Sequence, residues 1–306
     1  MHLKSAALAL PRTNPELNPL NPNMKLVRHG QPGQEQPGIL DGDGRARDLT
    51  GHCADFNPAF FASGGIERLR AIDPHTLPLV DASVRLGPCV AQPGNFIAVG
   101  LNYVQHAIET HADIPKDPIL FNKAPSCICG PDDDVILPKN SVKSDWEVEL
   151  AFVVGQEAYY VSEAEALSRI AGYFICNDVS EREFQLERRG QWVKGKMSPT
   201  FGPIGPWLVT SDEIEDVQNL GLWLELNGER IQNSNTNDMI FTVAKLVSDM
   251  SQYVRLMPGD IVTTGTPPGV GLGMKPPKYL KPGDRMRLGV EGLGVQEQRV
   301  VEWRDR

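Results

Sequence analysis

Two glutamates stand two residues apart in "SDWEVELAFVVG", residues 144–155, which is otherwise typical of a buried strand. Because side chains alternate across a strand, the apolar residues at even positions share one face, and Glu147 and Glu149 share the other. That second face becomes apolar again at Ala151 and Val153, so it is not an ordinary solvated face. A nearby group must therefore compensate the two neighbouring carboxylates.

A third carboxylate, Asp178, closes the next apolar strand, "AGYFICNDVSERE", at residues 171–183. Three converging carboxylates repel one another, and this raises their pKa values unless a cation lies among them. Oxygen-only ligands suit Mg²⁺, Mn²⁺ or Ca²⁺ rather than zinc, and three of them leave roughly three octahedral positions for water or substrate. The alternative is that Glu147 and Glu149 form a polar patch on an edge strand and that Asp178 caps a helix.

A possible acid–base pair lies in "GLNYVQHAIETHADIP", residues 100–115. Asn102 is a suitable helix N-cap with Gln105 three residues later, so the pattern predicts a short helix from this point. His106 and Glu109 are then i and i+3, on one face and within reach of each other. The alternative is a solvated surface pair. "GTPPGVG" at residues 265–271 is not a phosphate loop, because it lacks the lysine and hydroxyl of that motif.

The surrounding pattern predicts a β-rich α+β protein, with a small N-terminal domain over residues 24–90 and a larger mixed-sheet domain over 91–306. Residues 37–51 are rich in turn signals, and residues 58–72 have a helical pattern. Asn227-Gly228 is the strongest hairpin signal. One amphipathic helix is predicted from the spacing of five residues, which are Val243, Leu246, Val247, Met250 and Tyr253.

Composition limits the classes of partner and the cell compartment. The 306 residues include 41% hydrophobic and 23% charged residues, as in an ordinary globular protein. A formal charge of −9 argues against nucleic acid or an anionic membrane as the main partner. The five cysteines form no disulfide framework, so we expect buried thiols and a reducing, cytoplasmic location.

The first residues have a composition of their own. No segment reaches the roughly 18 apolar residues that a membrane span needs. The Pro- and Asn-rich start favours a disordered leader over residues 1–23, before "MKLVRHG" begins the first strand at Met24.

Four segments resemble the signature segments of the fumarylacetoacetate hydrolase family in wording, order and spacing. They are "DWEVELAFVVG", "GYFICNDVSEREFQ", "KGKMSPTFGPIGPWLVT" and "PGDIVTTGTPPGVG". The resemblance extends from about Phe96 to the end of the chain and implies the mixed β-sheet roll or sandwich of that family. It also implies a homodimer and a divalent metal, usually Mg²⁺ or Mn²⁺.

The resemblance assigns roles to single residues. Glu147, Glu149 and Asp178 match the metal ligands of the family, and His106 and Glu109 match a His-x-x-Glu pair that activates water or relays a proton. Further matches beside the metal and substrate are Lys123, Gln185, Lys196, Thr200 and Thr266. Lys196 would supply a fixed positive charge for an anionic oxygen. Without the family, Gln185 could be an exposed helix residue and Thr266 part of a turn.

One segment departs from the family. Its usual Lys-Ser-x-Asp-Thr is "KMSPT" here, with Met197 for the serine and Pro199 for the aspartate. Lys196 and Thr200 remain, so the expected metal environment survives. Because proline removes a backbone donor and the carboxylate is lost, the difference concerns the substrate pocket.

The resemblance implies an enzyme that acts on anionic 2-oxo acids through a metal-stabilised enolate. Acylpyruvate hydrolysis, oxaloacetate decarboxylation or tautomerisation, and isomerisation of 2-hydroxyhepta-2,4-diene-1,7-dioate share that chemistry, and ureidoglycolate lyase is a further alternative. A retained His-x-x-Glu favours hydrolysis or decarboxylation over isomerisation. Two other classes stay open, a weakened metal-bound ligand-binding protein and a scaffold with a purely structural Ca²⁺. A purely structural Ca²⁺ site does not need a general base beside the metal, so His106 and Glu109 argue against the scaffold.

Overall fold

The computed structural model describes residues 23–304, which contain seventeen strands. The first nine are β1 (Lys25–His29), β2 (Gln36–Leu40), β3 (Ala46–Asp48), β4 (Phe96–Gly100), β5 (Ile119–Lys123), β6 (Ile128–Cys129), β7 (Val135–Ile136), β8 (Ser144–Asp145) and β9 (Val148–Val154). The others are β10 (Ile170–Asn177), β11 (Ser180–Glu181), β12 (Gly202–Thr210), β13 (Gly221–Leu226), β14 (Glu229–Asn235), β15 (Ile261–Thr263), β16 (Arg285–Val290) and β17 (Gly294–Val301).

The α-helices of the described residues are short. They are α1 (Pro58–Ala62), α2 (Gly65–Leu69), α3 (Val104–Glu109), α4 (Glu163–Ala166), α5 (Val193–Lys196) and α6 (Val243–Met250). A π-helix spans Glu183–Glu187. No helix in residues 23–304 is both long and apolar enough to cross a membrane.

The strands form a large sheet, a smaller sheet and a two-stranded pair of β8 with β11. The large sheet has ten strands in the order β3-β2-β1-β12-β10-β9-β15-β4-β5, with β6 attached to β12. The second sheet has the order β14-β13-β16-β17-β7. Its strands β13, β16 and β17 pack on β9, β10 and β12, and the two sheets share one apolar core. The β-rich prediction is confirmed.

Strand β9 lies in the middle of the large sheet between β10 and β15, and all of its residues are buried. A strand covered on both faces has a nearly continuous apolar sequence, which explains why "VELAFVV" does not alternate. The alternative of a polar patch on an edge strand is therefore wrong. Asp178 is followed by β11 and caps no helix, so the second half of that alternative is also wrong.

The N-terminal strands continue the large sheet. Strand β1 pairs with β12 through Lys25↔Val209 and Leu26↔Leu208. The turn-rich residues 37–51 form parts of β2 and β3, which pair with each other around the turn at Asp41. The predicted boundary between residues 24–90 and 91–306 stays a prediction, and the predicted leader lies outside the described residues except for Asn23.

Several local predictions were wrong for identifiable reasons. The single helical segment at 58–72 is split into α1 and α2 at Gly64, which has a left-handed φ of 71°. Tyr253 lies beyond the end of α6 and is exposed, whereas the other four residues of the predicted stripe are buried. Asn102 is not the N-cap of α3, because its buried amide instead bonds the backbone of Phe241 and Thr264.

The predicted hairpin at Asn227-Gly228 is confirmed between β13 and β14, with φ values of 54° and 83°. Two consecutive positive φ angles define the type I′ turn, which only small or Asx residues adopt without strain. We expect Gly228→Ala to lower the free energy of unfolding by about 1 kcal/mol. Urea denaturation checks this, with the exposed and unstrained Gly51→Ala as control. Equal stability of Gly228→Ala and the native chain would contradict it.

Candidate metal centre and active site

The register of β9 against β10 brings the three carboxylates together. Glu149 pairs with Cys176, and Val148 pairs with Asn177, so Glu147 and Asp178 meet just beyond the ends of the ladder. The backbone N–H of Asp178 donates to the carbonyl of Glu147 at 2.9 Å. One carboxylate oxygen from each of the three residues lies within 4.8 Å of the others, and all three residues are buried.

This donor set fits a divalent cation. It consists only of carboxylate oxygens, with no histidine nitrogen or cysteine sulfur in the cluster. Hard cations such as Mg²⁺ and Mn²⁺ prefer such ligands. Glu147, Glu149 and Asp178 are the residues that would hold the ion.

Buried cations already compensate two of the three carboxylates. The Lys196 ammonium lies 2.6 Å from Glu147 Oε2 and 2.7 Å from Asp178 Oδ2. Lys123 Nζ lies 2.5 Å from the other oxygen of Asp178, and Arg182 Nη2 lies 2.7 Å from Glu147 Oε1. Burial alone would raise the pKa of Glu147, but the charges of Lys196 and Arg182 outweigh it and lower the pKa to about 2.

Glu149 differs from the other two carboxylates. Burial and the charges of Asp178 and Glu147 raise its pKa well above the usual value. Its Oε2 accepts hydrogen bonds from Thr263 Oγ1 and, at 2.7 Å, from the N–H of Gly265, but no lysine or arginine within residues 23–304 forms an ion pair with it. A bound cation would therefore stabilise the ionised form of Glu149, the carboxylate of the cluster that lacks an ion-pair partner among the described residues.

A cavity of about 220 Å³ opens beside the carboxylates. Six of the predicted site residues line it, which are His106, Glu147, Glu149, Gln185, Lys196 and Thr266. Pockets for drug-sized ligands measure roughly 300–1,000 Å³, so this cavity suits a smaller molecule. The other four predicted residues do not line the cavity, but two of these, Lys123 and Asp178, contact each other and also contact Lys196, which does line it.

His106 and Glu109 lie together on α3, as their spacing predicts. His106 Nδ1 is 3.5 Å from Glu109 Oε2, and the histidine faces the cavity. The Glu109 carboxylate also accepts from the N–H of Gly269, at 3.0 and 3.1 Å to its two oxygens. A β-carbon on Gly269 would lie 1.9 Å from the carbonyl oxygen of Ile231, so only glycine fits there. The loop that contains Thr266 thus fixes the carboxylate beside the histidine.

Two predicted threonines occupy different surroundings. Thr266 Oγ1 donates to the carbonyl of Val148 at 3.0 Å, at the wall of the cavity. Thr200 has a left-handed φ of 66°, and its hydroxyl accepts from the N–H of Ile136 at 2.8 Å. It lines a separate groove that also includes Arg28. A substrate-binding role for either threonine stays a prediction.

Arg182 is a site residue that the sequence analysis missed. Its guanidinium reaches Asp145 at 2.8 Å, Glu147 at 2.7 Å and Gln185 Oε1 at 3.1 Å, and it lines the cavity. The signal that could have found it is a basic residue four positions after Asp178, in a segment already assigned to the site.

Gly195 explains how Lys196 reaches the carboxylates. A β-carbon at Gly195 would lie 2.3 Å from the carbonyl oxygen of Glu181 and 2.6 Å from Gln185 Cβ. The absence of a side chain therefore lets α5 lie directly on the π-helix at Glu183–Glu187. π-Helical turns frequently mark functional sites, and this one directs Gln185 into the cavity.

Buried amides of the second sheet hold the backbone of the ligand strands. Gln232 accepts from the N–H of Val148 at 3.0 Å and donates to Thr266 Oγ1 and the Pro267 carbonyl at 2.9 Å each. Val148 lies between the two glutamate ligands, so Gln232 fixes their spacing. Within the large sheet, Glu147 also donates its N–H to the side-chain oxygen of Asn177 at 3.1 Å.

We expect Gln232→Leu to weaken the binding of Mn²⁺ about 10- to 100-fold, because supporting partners of metal ligands have effects of that size. The free energy of unfolding should fall by about 1–3 kcal/mol, since a buried N–H loses its acceptor. Titration calorimetry on metal-stripped protein measures the affinity. Gln296→Leu is the matched control, because Gln296 is also fully buried but bonds the carbonyls of Ile175 and Gly205. Equal metal affinities for the two variants would contradict the prediction.

Known proteins share both the sequence and the fold. Residues 95–301 match the family described as fumarylacetoacetate (FAA) hydrolase, C-terminal. A related protein from Burkholderia multivorans is 58% identical over 276 residues, which are 90% of this chain and 98% of the relative. The structure of a fumarylacetoacetate hydrolase from Exiguobacterium antarcticum superposes with a TM-score of 0.82 and is 33% identical, over 92% of this chain and 100% of that one.

A second solved structure of similar fold contains a metal ion. Maleylpyruvate hydrolase from Sphingobium sp. SYK-6, solved in complex with manganese(II) and pyruvate, is 26% identical with a TM-score of 0.74, over 92% of this chain and 100% of that chain. The shared family and fold define an enzyme of the hydrolase and isomerase type. The chain belongs to the fumarylacetoacetate hydrolase family.

Proposed function

We propose that this enzyme uses a divalent metal, Mg²⁺ or Mn²⁺, to cleave a carbon–carbon bond in a small anionic 2-oxo acid. Hydrolysis of an acylpyruvate is the reaction with the best support. The observation that carries the proposal is that Glu147, Glu149, Lys196 and His106 line one small cavity. The relative that binds manganese(II) and pyruvate is a hydrolase of an acylpyruvate, which favours the same chemistry.

The charges around the cavity fit an anionic substrate. Four buried carboxylates face three buried cations, so the cluster has a formal charge of −1 alone and of +1 with a divalent cation; its members are Asp145, Glu147, Glu149, Asp178, Lys123, Arg182 and Lys196. The bound ion would supply Lewis-acid polarisation of a 2-oxo acid held by its carboxylate and oxo oxygens. An anion is then attracted to the cavity although the chain as a whole is acidic.

His106 is proposed as the general base. Glu109 lies beside Nδ1, which leaves Nε2 to take a proton from water in the cavity. The oxygen of that water forms a bond to C4 of the acylpyruvate, and the C3–C4 bond breaks. The electron pair goes to the pyruvate part, whose C3 then takes up a proton. Lys196, fixed between two carboxylates, places its ammonium group where it can stabilise the developing negative charge.

The presence of the proposed base favours hydrolysis over the other reactions of this substrate class. Isomerisation and oxaloacetate decarboxylation need no water activated next to the bond that breaks. A histidine that faces the cavity and has a carboxylate 3.5 Å from its Nδ1 is suited to activating water. A homodimer and a cytoplasmic location are proposed with this function, and the free state of all five cysteines is consistent with the latter.

Metal-stripped protein mixed with acetylpyruvate tests the proposal, with the enol absorbance followed before and after Mg²⁺ or Mn²⁺ is restored. We expect loss of the enol band only with metal, and no loss for Glu149→Gln. The exposed Glu291→Gln serves as the matched control and should act like the native chain. Absence of turnover with acetylpyruvate and with oxaloacetate would reject the proposed reaction. If such acids still bound, the ligand-binding alternative would replace it.

A further inference from the structure

Two groups of side chains line the cavity beside the metal centre. The polar group, called the polar wall, contains Glu147, Glu149, Lys196, Arg182 and His106, together with the uncharged Gln185, Thr110 and Thr266. The apolar group, called the apolar wall, contains Leu101, Phe121, Leu186, Trp192 and Leu272. A substrate held by a 2-oxo acid group at the polar wall meets carbon surfaces wherever its remaining atoms contact the apolar group.

The apolar wall is built by specific packing. The rings of Phe121 and Trp192 meet edge to face, with centroids 5.5 Å apart, and Phe121 lies 5.2 Å from Lys196 Nζ. Gly100 provides the space for the indole, because a β-carbon there would lie 2.3 Å from Trp192 Cζ3. The aromatic pair thus begins directly beside the polar wall and extends the cavity with apolar surface.

The cations of the cavity wall are already engaged at the polar end. Lys196 contacts Glu147 and Asp178, and Arg182 contacts Asp145 and Glu147. Among residues 23–304, no other lysine or arginine lines this cavity. A second carboxylate on the substrate would therefore lie against aromatic and aliphatic side chains without a cationic partner.

We propose, on the basis of the proposed function, that the substrate is a monocarboxylic 2-oxo acid whose far end is uncharged and apolar, as in an acylpyruvate with an alkyl or aryl acyl group. Burial of an unpaired charge against carbon surfaces is costly, whereas each buried methylene is favourable. The site therefore selects against dicarboxylates such as oxaloacetate or maleylpyruvate at its apolar wall.

A binding experiment tests this selection independently of turnover. The affinities of Mn²⁺-loaded protein for 4-methyl-2-oxopentanoate and 2-oxoglutarate are measured by titration calorimetry, since the two acids share the 2-oxo acid group and differ at the far end. We expect the dissociation constant of the branched acid to be at least about tenfold lower. Equal or tighter binding of 2-oxoglutarate, or no binding of either acid, would overturn the inference.

A charge placed in the apolar wall should reverse the preference. Leu186 is 44% exposed and tolerates a long polar side chain, so Leu186→Arg is expected to tighten 2-oxoglutarate binding about fivefold and weaken binding of the branched acid. Leu167→Arg is the matched control, because Leu167 is 43% exposed and does not line the cavity. The same gain in both variants, or no gain in Leu186→Arg, would contradict the inference.

Measurements of turnover distinguish failure of this inference from failure of the proposed function. Acetylpyruvate and a longer alkylacylpyruvate are compared with maleylpyruvate at equal metal concentration. Faster cleavage of the alkyl substrates supports both the proposed hydrolysis and the preference for an apolar far end. The longer alkyl group should raise kcat/KM further. Preference for maleylpyruvate would overturn the inference and leave the proposed hydrolysis standing. Selective binding without any cleavage would support the inference and reject the hydrolysis.

Discussion

Asp178→Asn is expected to abolish measurable turnover, weaken Mn²⁺ binding more than about 100-fold and lower the free energy of unfolding by about 3–5 kcal/mol. The carboxylate of Asp178 forms ion pairs with Lys123 and Lys196, both almost fully buried. Its removal leaves two ammonium groups without their shared partner in a low-dielectric interior. Calorimetric titration and urea denaturation measure the two effects on the same preparation.

Asp260→Asn is the matched control for that experiment. Asp260 is also a buried aspartate, and it accepts hydrogen bonds from Asn95 and from the N–H of Met257, outside the cavity wall and the carboxylate cluster. The control should lose stability but keep its Mn²⁺ affinity and activity. Retention of native Mn²⁺ affinity by Asp178→Asn would remove Asp178 from the ligand set.

His106→Ala is expected to lower kcat about 10²- to 10⁴-fold, the usual contribution of a positioned general base, with Mn²⁺ affinity and KM nearly unchanged. His106 faces the cavity but does not belong to the carboxylate cluster, so its loss removes proton transfer without disturbing the ligands. Steady-state kinetics with acetylpyruvate gives kcat and KM separately.

Glu109→Gln should lower kcat less than His106→Ala does, because glutamine can still accept from Gly269 and orient the imidazole without a charge. His29→Ala controls for the loss of a buried histidine, since His29 is 9% exposed and His106 is 7% exposed. A native kcat for His106→Ala would show that another group transfers the proton. It would not change the assignment of the metal ligands.

The sequence predicted the carboxylate triad because each ligand depends on local pattern. Glu147 and Glu149 interrupt an apolar strand, and Asp178 closes the next one, so strand pairing alone brings them together. The His106–Glu109 pair follows in the same way from the geometry of one helical turn. The same holds for the Asn227-Gly228 hairpin, whose two positive φ angles are a local property.

Features that depend on distant contacts could not be predicted. Asn102 has the residue type of an N-cap, but its amide is used by the backbone of Phe241 and Thr264, far along the chain. The sequence analysis also explained the tolerance of the glutamates by a metal alone. Arg182, Lys196 and the amide of Gln232 share that role, and their positions follow from the packing of two sheets and of α5 on the π-helix.

The N-terminal strands shield the edge of the strand that supports the metal centre. β12 pairs with β10 on one side and with β1 on the other, and the N–H of Thr210 donates to the carbonyl of Met24 at 3.0 Å. A recombinant fragment of residues 91–306 would expose the largely apolar edge of β12. Open edges of that kind recruit strands from other molecules, which leads to aggregation. We therefore expect this fragment to be less soluble than the whole chain, although the N-terminal hairpin contributes no residue to the cavity wall.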